Sequence, residues 1–168
     1  MKKEIINTLL YWLGYFVFLT IINSLYSWTY WPLYVGGLVG LLIPNLDHLL
    51  YIFYFKPQEL TSQRVMQLIK TKQYKEAVSL MYDTKSERND LIFHTVLFQL
   101  IFTVLTFWVI SSSGNLFARG LVLSYFLILV LFNLKKIING ELILDNIDNT
   151  RIYFAGSVLA LFIFGLLV

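Results

Sequence analysis

The sequence predicts an all-α fold: a polytopic membrane helical bundle of about five transmembrane helices (alternatively four), with an amphipathic helical loop on the cytoplasmic side. Three observations predict it. Hydrophobic residues make up 58% of the 168 residues and charged residues 14%, against about 25% charged in a soluble domain. Mean hydropathy is +0.69, so lipid rather than water is the expected solvent of the surface. Finally, Lys and Arg gather in alternate loops, as the positive-inside bias requires.

Five apolar runs come near the roughly 17–25 residues of a spanning helix. The first, 5–26, follows Met1-Lys2-Lys3-Glu4. Its apolar stretch is too long for a cleaved signal and no A-x-A site follows, so it reads as a signal-anchor. Ser27-Trp28-Thr29-Tyr30-Trp31-Pro32 then makes an aromatic turn at the far interface. The remaining spans are 33–55, 91–110, 116–134 and the short 152–168, all in one membrane domain covering 1–168. With the N-terminus inside, the inner segments collect Lys2, Lys3, Lys56, Arg64, Lys70, Lys72, Lys75, Lys85, Arg88, Lys135, Lys136 and Arg151, and the outer ones only Arg119. This places the chain in a cytoplasmic (inner) membrane, multi-pass and N-in. If 152–168 lies on the surface, four spans leave both termini inside.

The loop 56–90 is the sizeable polar region. Thr61 or Ser62 is placed to cap a helix, with Val65, Met66 and Ile69 at helical spacing after it. Tyr74, Ala77, Val78 and Met81 form a second apolar set, with Lys70, Lys72 and Lys75 between the two. Two short amphipathic helices are expected, either against acidic lipid headgroups of the inner leaflet or as a solvated hairpin over the bundle. The net charge of +3 is too small to point to nucleic acid, and the absence of cysteine excludes disulfides, thiolate metal sites and cysteine nucleophiles.

Chemistry concentrates in two places. In the second span, Pro44-Asn45-Leu46-Asp47-His48 puts a carboxylate about eight residues from the cytoplasmic end, roughly 12 Å deep. Burying it there costs at least about 2.5–3.5 kcal/mol, so a metal, a cation, a wet cavity or a proton must offset the charge. Gly36 and Gly40 form a GxxxG pair that Pro44 continues, a face suited to close helix packing. On a continuous helix Asp47 projects from that same face, and Pro44 frees the Gly40 carbonyl. The third span opens with Arg88-Asn89-Asp90-Leu91-Ile92-Phe93-His94. Asp90 and His94 share a face at i,i+4, so Asp90 could fix the imidazole tautomer.

Brought together, Asp47, His48 and His94 offer one oxygen and two nitrogen donors, a set suited to zinc or manganese. Asn45, Asp90 and Arg88 would stand behind them. Alternatively, Asp47 pairs with His48, Arg88 or a tyrosine hydroxyl to fix helix packing, and His94 is a polar tip at headgroup level.

Pro44-Asn45-Leu46-Asp47-His48 resembles the P-D-x-D-H motif of the bacterial and archaeal inner-membrane "membrane-bound metal-dependent hydrolase" family. Arg88 to Thr95 loosely matches that family's H-R-x-x-T-H-S. The resemblance covers about residues 36–95, with Asn45 in place of the motif's first Asp, longer spacing from Arg88 to His94 and no later H-x-x-x-D. As a divergent and incomplete copy, it implies a metal-dependent hydrolase acting at the inner leaflet, with Asp47 and His94 catalytic and a divalent ion activating water. A non-enzymatic membrane scaffold or partner-binding protein is the alternative, and proton-linked transport a third reading. Gly156-x-x-x-Ala160 could supply a homo-oligomer contact.

Overall fold

The structure is a computed structural model that describes residues 2–84, 93, 95–144 and 146–168. It is 81% helical with no strand among the described residues, so the fold class is all-α. Eight α-helices are described: α1 Lys2–Ile22, α2 Trp31–Gly40, α3 Ile43–Leu50, α4 Leu60–Lys70, α5 Tyr74–Asp83, α6 Val96–Ser112, α7 Leu116–Ile138 and α8 Ile147–Leu166. Two of them, α7 and α8, are long and apolar enough to cross a membrane. Shorter apolar stretches are Ile6–Ile22, Leu46–Phe55 and Val96–Ser112. The chain divides into two compact units, one of residues 43–95 and one of 2–42 with 96–168.

The larger unit is built around α7. Asn115 starts this helix, its side chain accepting the amides of Phe117 (3.0 Å) and Ala118 (3.3 Å). Lys135 and Lys136 lie in its last turn, where positive charge suits the helix dipole. Gly140, at φ +78°, turns the chain away. Its middle is buried on most sides, from Gly120 to Asn133, as expected of a helix that is apolar all round.

Pairwise contacts give the directions of the other four helices of this unit. Tyr15 donates to the Leu161 carbonyl (3.0 Å) and Asn23 to the Gly165 carbonyl (2.8 Å), so α1 and α8 run parallel. The Thr20 and Tyr34 hydroxyls share a hydrogen bond (2.7 Å) while Gly37 faces Trp12 and Phe16, so α1 and α2 are antiparallel. Phe102 meets Tyr125 edge-on at 4.5 Å while Gln99 bonds Asn133, making α6 and α7 antiparallel. The Arg119 guanidinium donates to the Ser113 carbonyl (2.8 Å) and the Val168 carbonyl (3.1 Å), so the α6–α7 turn and the end of α8 share one end of the unit.

Helices α2 and α7 run parallel in closest contact. A Cβ on Gly36 would collide with the Phe117 carbonyl, one on Gly40 would lie 2.5 Å from the Leu121 carbonyl oxygen, and one on Gly120 would collide with the Leu33 carbonyl. Backbone touches backbone here, which only glycine permits.

The smaller unit contains α3, the π-helical turn Tyr51–Phe55, α4 and α5. Its core is Tyr51, Ile52, Val65 and Ala77, packed with Met66, Ile69 and Met81. The apolar stripes of α4 and α5 are thus partly spent on Tyr51 and Ile52, while Leu60, Tyr74 and Val78 stay exposed. The α4 N-cap is Glu59 rather than Thr61 or Ser62. Its carboxylate accepts the Tyr51 hydroxyl at 3.0 Å on both oxygens and lies 3.7 Å from Lys56 Nζ. The α4–α5 turn has Lys72 at φ +60°, and Thr71 donates to the Gln67 and Leu68 carbonyls.

The region 33–55 is not one continuous helix. Helix α2 stops at Gly40, with Leu41 and Leu42 in a turn closed onto Gly37 and Val39. Helix α3 starts at Ile43, so Pro44 sits in its first turn, where a missing N–H leaves no helical bond unmade. The wheel projection that puts Asp47 on the Gly36 face assumes an unbroken helix and lapses with this break.

Candidate functional site

Asp47 lies on α3 and is 1% exposed; His48 beside it is also buried. Asp47 Oδ2 accepts the backbone N–H of Phe93 at 3.0 Å. The sequence separation of 46 residues makes this a tertiary clasp, and it joins the two motif regions singled out in the sequence. Phe93 is the residue immediately before His94. Arg88, Asp90, His94 and the Asn45 side chain lie outside the described residues.

Charge-assisted bonds from a backbone N–H to a carboxylate are among the stronger ones. A carboxylate has about four lone-pair sites, one of which the Phe93 amide fills. The donor chemistry of Asp47 and His48, one hard oxygen and one imidazole nitrogen, suits zinc or manganese. Among the described residues no group of three or more His, Asp or Glu side chains comes together.

Of the packing residues, Gly36 and Gly40 belong to the larger unit and Pro44 to the smaller one. Gly36 and Gly40 lie on the α7 backbone, and Pro44 opens α3. A second polar centre was not singled out from the sequence. Gln99 on α6 and Asn133 on α7 exchange amide hydrogen bonds (2.8 and 3.3 Å), and the Tyr153 hydroxyl on α8 donates to Gln99 Oε1 at 2.7 Å. Gln99 and Asn133 are buried. The available signal was two amide side chains inside otherwise apolar runs.

Comparison with family models, with curated proteins and with solved structures finds no match.

Proposed function

We propose that this chain is a multi-pass inner-membrane protein, N-in with five spans, carrying a hydrolase-type metal centre at Asp47, His48 and His94. The observation that carries the site is the Asp47–Phe93 clasp, which ties the buried carboxylate to the residue preceding His94. The membrane reading draws support from exposed apolar faces. Leu97, Val104 and Trp108 on α6 and Ile152 on α8 are each 67–71% exposed, and apolar faces of this extent point to lipid or another protein surface. The alternating directions of α1, α2, α6, α7 and α8 agree with five passes.

A bound zinc or manganese would supply Lewis acidity and activate water at neutral pH. The chain's own contribution is to bury Asp47 and His48 together and to fix the carboxylate against the Phe93 amide. The substrate reading is a phosphorylated or lipid-like molecule at the inner leaflet. Arg64 and Lys70 of α4, with Lys72 in the turn and Lys75 at the start of α5, would hold acidic headgroups there.

The test is metal content of detergent-purified protein. Near-stoichiometric zinc or manganese is expected, lost in Asp47→Ala and His94→Ala. Asn keeps an acceptor for the Phe93 N–H, so Asp47→Asn should lose metal while still folding. The clasp also favours a second reading, a non-enzymatic membrane scaffold in which Asp47 only fixes the chain. That reading expects metal-free wild-type protein and an Asp47→Asn variant with unaltered behaviour.

A further inference from the structure

Beside the Gln99–Asn133–Tyr153 network lies a cleft of about 210 Å³ between α6, α7 and α8. Its lining includes Thr103, Gly156 and Ser157, and the rest of its wall is aliphatic and aromatic. Tyr153, Thr103 and Ser157 have each committed their hydroxyl proton. Tyr153 donates to Gln99 Oε1, Thr103 to the Gln99 carbonyl and Ser157 to the Phe154 carbonyl, all at 2.7 Å. A hydroxyl that has given its proton still accepts through its lone pairs. Three acceptor oxygens therefore line the cleft, beside the mutually bonded Gln99 and Asn133 amides.

A ligand that bonds these oxygens must bring a proton donor. Among the described residues no acidic side chain lines the cleft, so a cation would go unneutralised at a high desolvation cost. A neutral hydroxyl fits: it gives its proton to one of the three oxygens. The volume exceeds the roughly 30 Å³ share of one water several-fold. Gly156 is open, since a Cβ there would meet nothing within 4 Å, which leaves an apolar tail a way out beside α8.

We propose that this cleft binds the hydroxyl end of an uncharged lipid alcohol, with its chain running out past Gly156. The proposal rests on the membrane reading above but not on the metal centre.

The test uses the full chain, purified in detergent and reconstituted in phosphatidylcholine vesicles. The probe is a long-chain primary alcohol carrying a photoreactive diazirine, and its methyl ether is the comparator. The alcohol should label α6 or α8 roughly fivefold more than the ether, the worth of one net hydrogen bond. Gly156→Leu, whose Cβ would meet nothing within 4 Å and whose isobutyl group would occupy the cleft, should cut labelling by a similar factor. Tyr153→Phe with Thr103→Val and Ser157→Ala, which preserves shape and removes all three acceptor oxygens, should bring the alcohol down to the level of the ether. Equal labelling by alcohol and ether, or labelling that survives both variants, would overturn the proposal. Failure of the membrane reading shows separately, as protein that leaves cells in the soluble fraction before any probe is added.

Discussion

Gly120 of α7 and Leu33 of α2 meet backbone to backbone, with no room for a single methyl group between them. Gly36 and Gly40 repeat the arrangement from the other side. Gly36→Ala and Gly120→Ala should therefore each destabilise the larger unit by about 1–3 kcal/mol, as overpacking does. Gly14→Ala and Gly156→Ala, where an added Cβ meets nothing, should be neutral or gain up to about 1 kcal/mol of helix propensity. Thermal unfolding in one detergent compares all four, and equal shifts would remove the seam as the explanation.

The Gln99–Asn133 exchange predicts non-additive mutants. Asn133→Leu leaves the buried Gln99 amide short of a partner, at a cost of about 1–3 kcal/mol. The double variant Gln99→Leu/Asn133→Leu removes both amides and should recover part of that loss. A double-mutant cycle on unfolding midpoints measures the coupling, expected near 0.6–1.7 kcal/mol on the membrane reading proposed above. Zero coupling would mean that the two amides do not hold the helices together.

In the smaller unit, the Tyr51 hydroxyl and the Glu59 carboxylate carry more than the nearby ion pair. Tyr51 is buried and bonds both carboxylate oxygens, so Tyr51→Phe should cost about 1 kcal/mol. The Lys56–Glu59 pair is well exposed and should contribute under about 0.5 kcal/mol. Amide exchange of α4 is the readout: Tyr51→Phe should speed it and Lys56→Met should barely change it. The reverse order would place the weight on the ion pair.

Single cysteines test the passes directly, because the chain has none of its own. Thr71→Cys and Asn139→Cys should react with an impermeant thiol reagent only after the cells are opened. Gly114→Cys should react in intact cells. Labelling of Gly114→Cys and Asn139→Cys from the same side would remove α7 as a span.

The parts of this fold that repeat locally are readable from the sequence. Helix α7 shows as an apolar run with a capping Asn115 and a closing Lys pair, and α4 and α5 show through their spacing. Other features depend on partners distant in the chain. The break after Gly40 follows from Pro44, but a kink and a restart look alike in sequence. Gln99 and Asn133 stand 34 residues apart with no periodic relation. The clasp on Asp47 uses a backbone N–H, which any residue except proline carries and no residue type advertises. Nor does amphipathic spacing alone say that Val65 and Ala77 would pack on Tyr51 and Ile52 while Tyr74 and Val78 stay outside.

The glycine seam also sets an order of events during synthesis. Gly40 precedes Gly120 by about 80 residues, which a ribosome adds in roughly 4–16 seconds at bacterial and eukaryotic speeds. For that interval the bare face of α2 has been made and its mate has not. A newly made first half must wait with this groove open, vulnerable to any other small-residue helix nearby, until α7 emerges to close it.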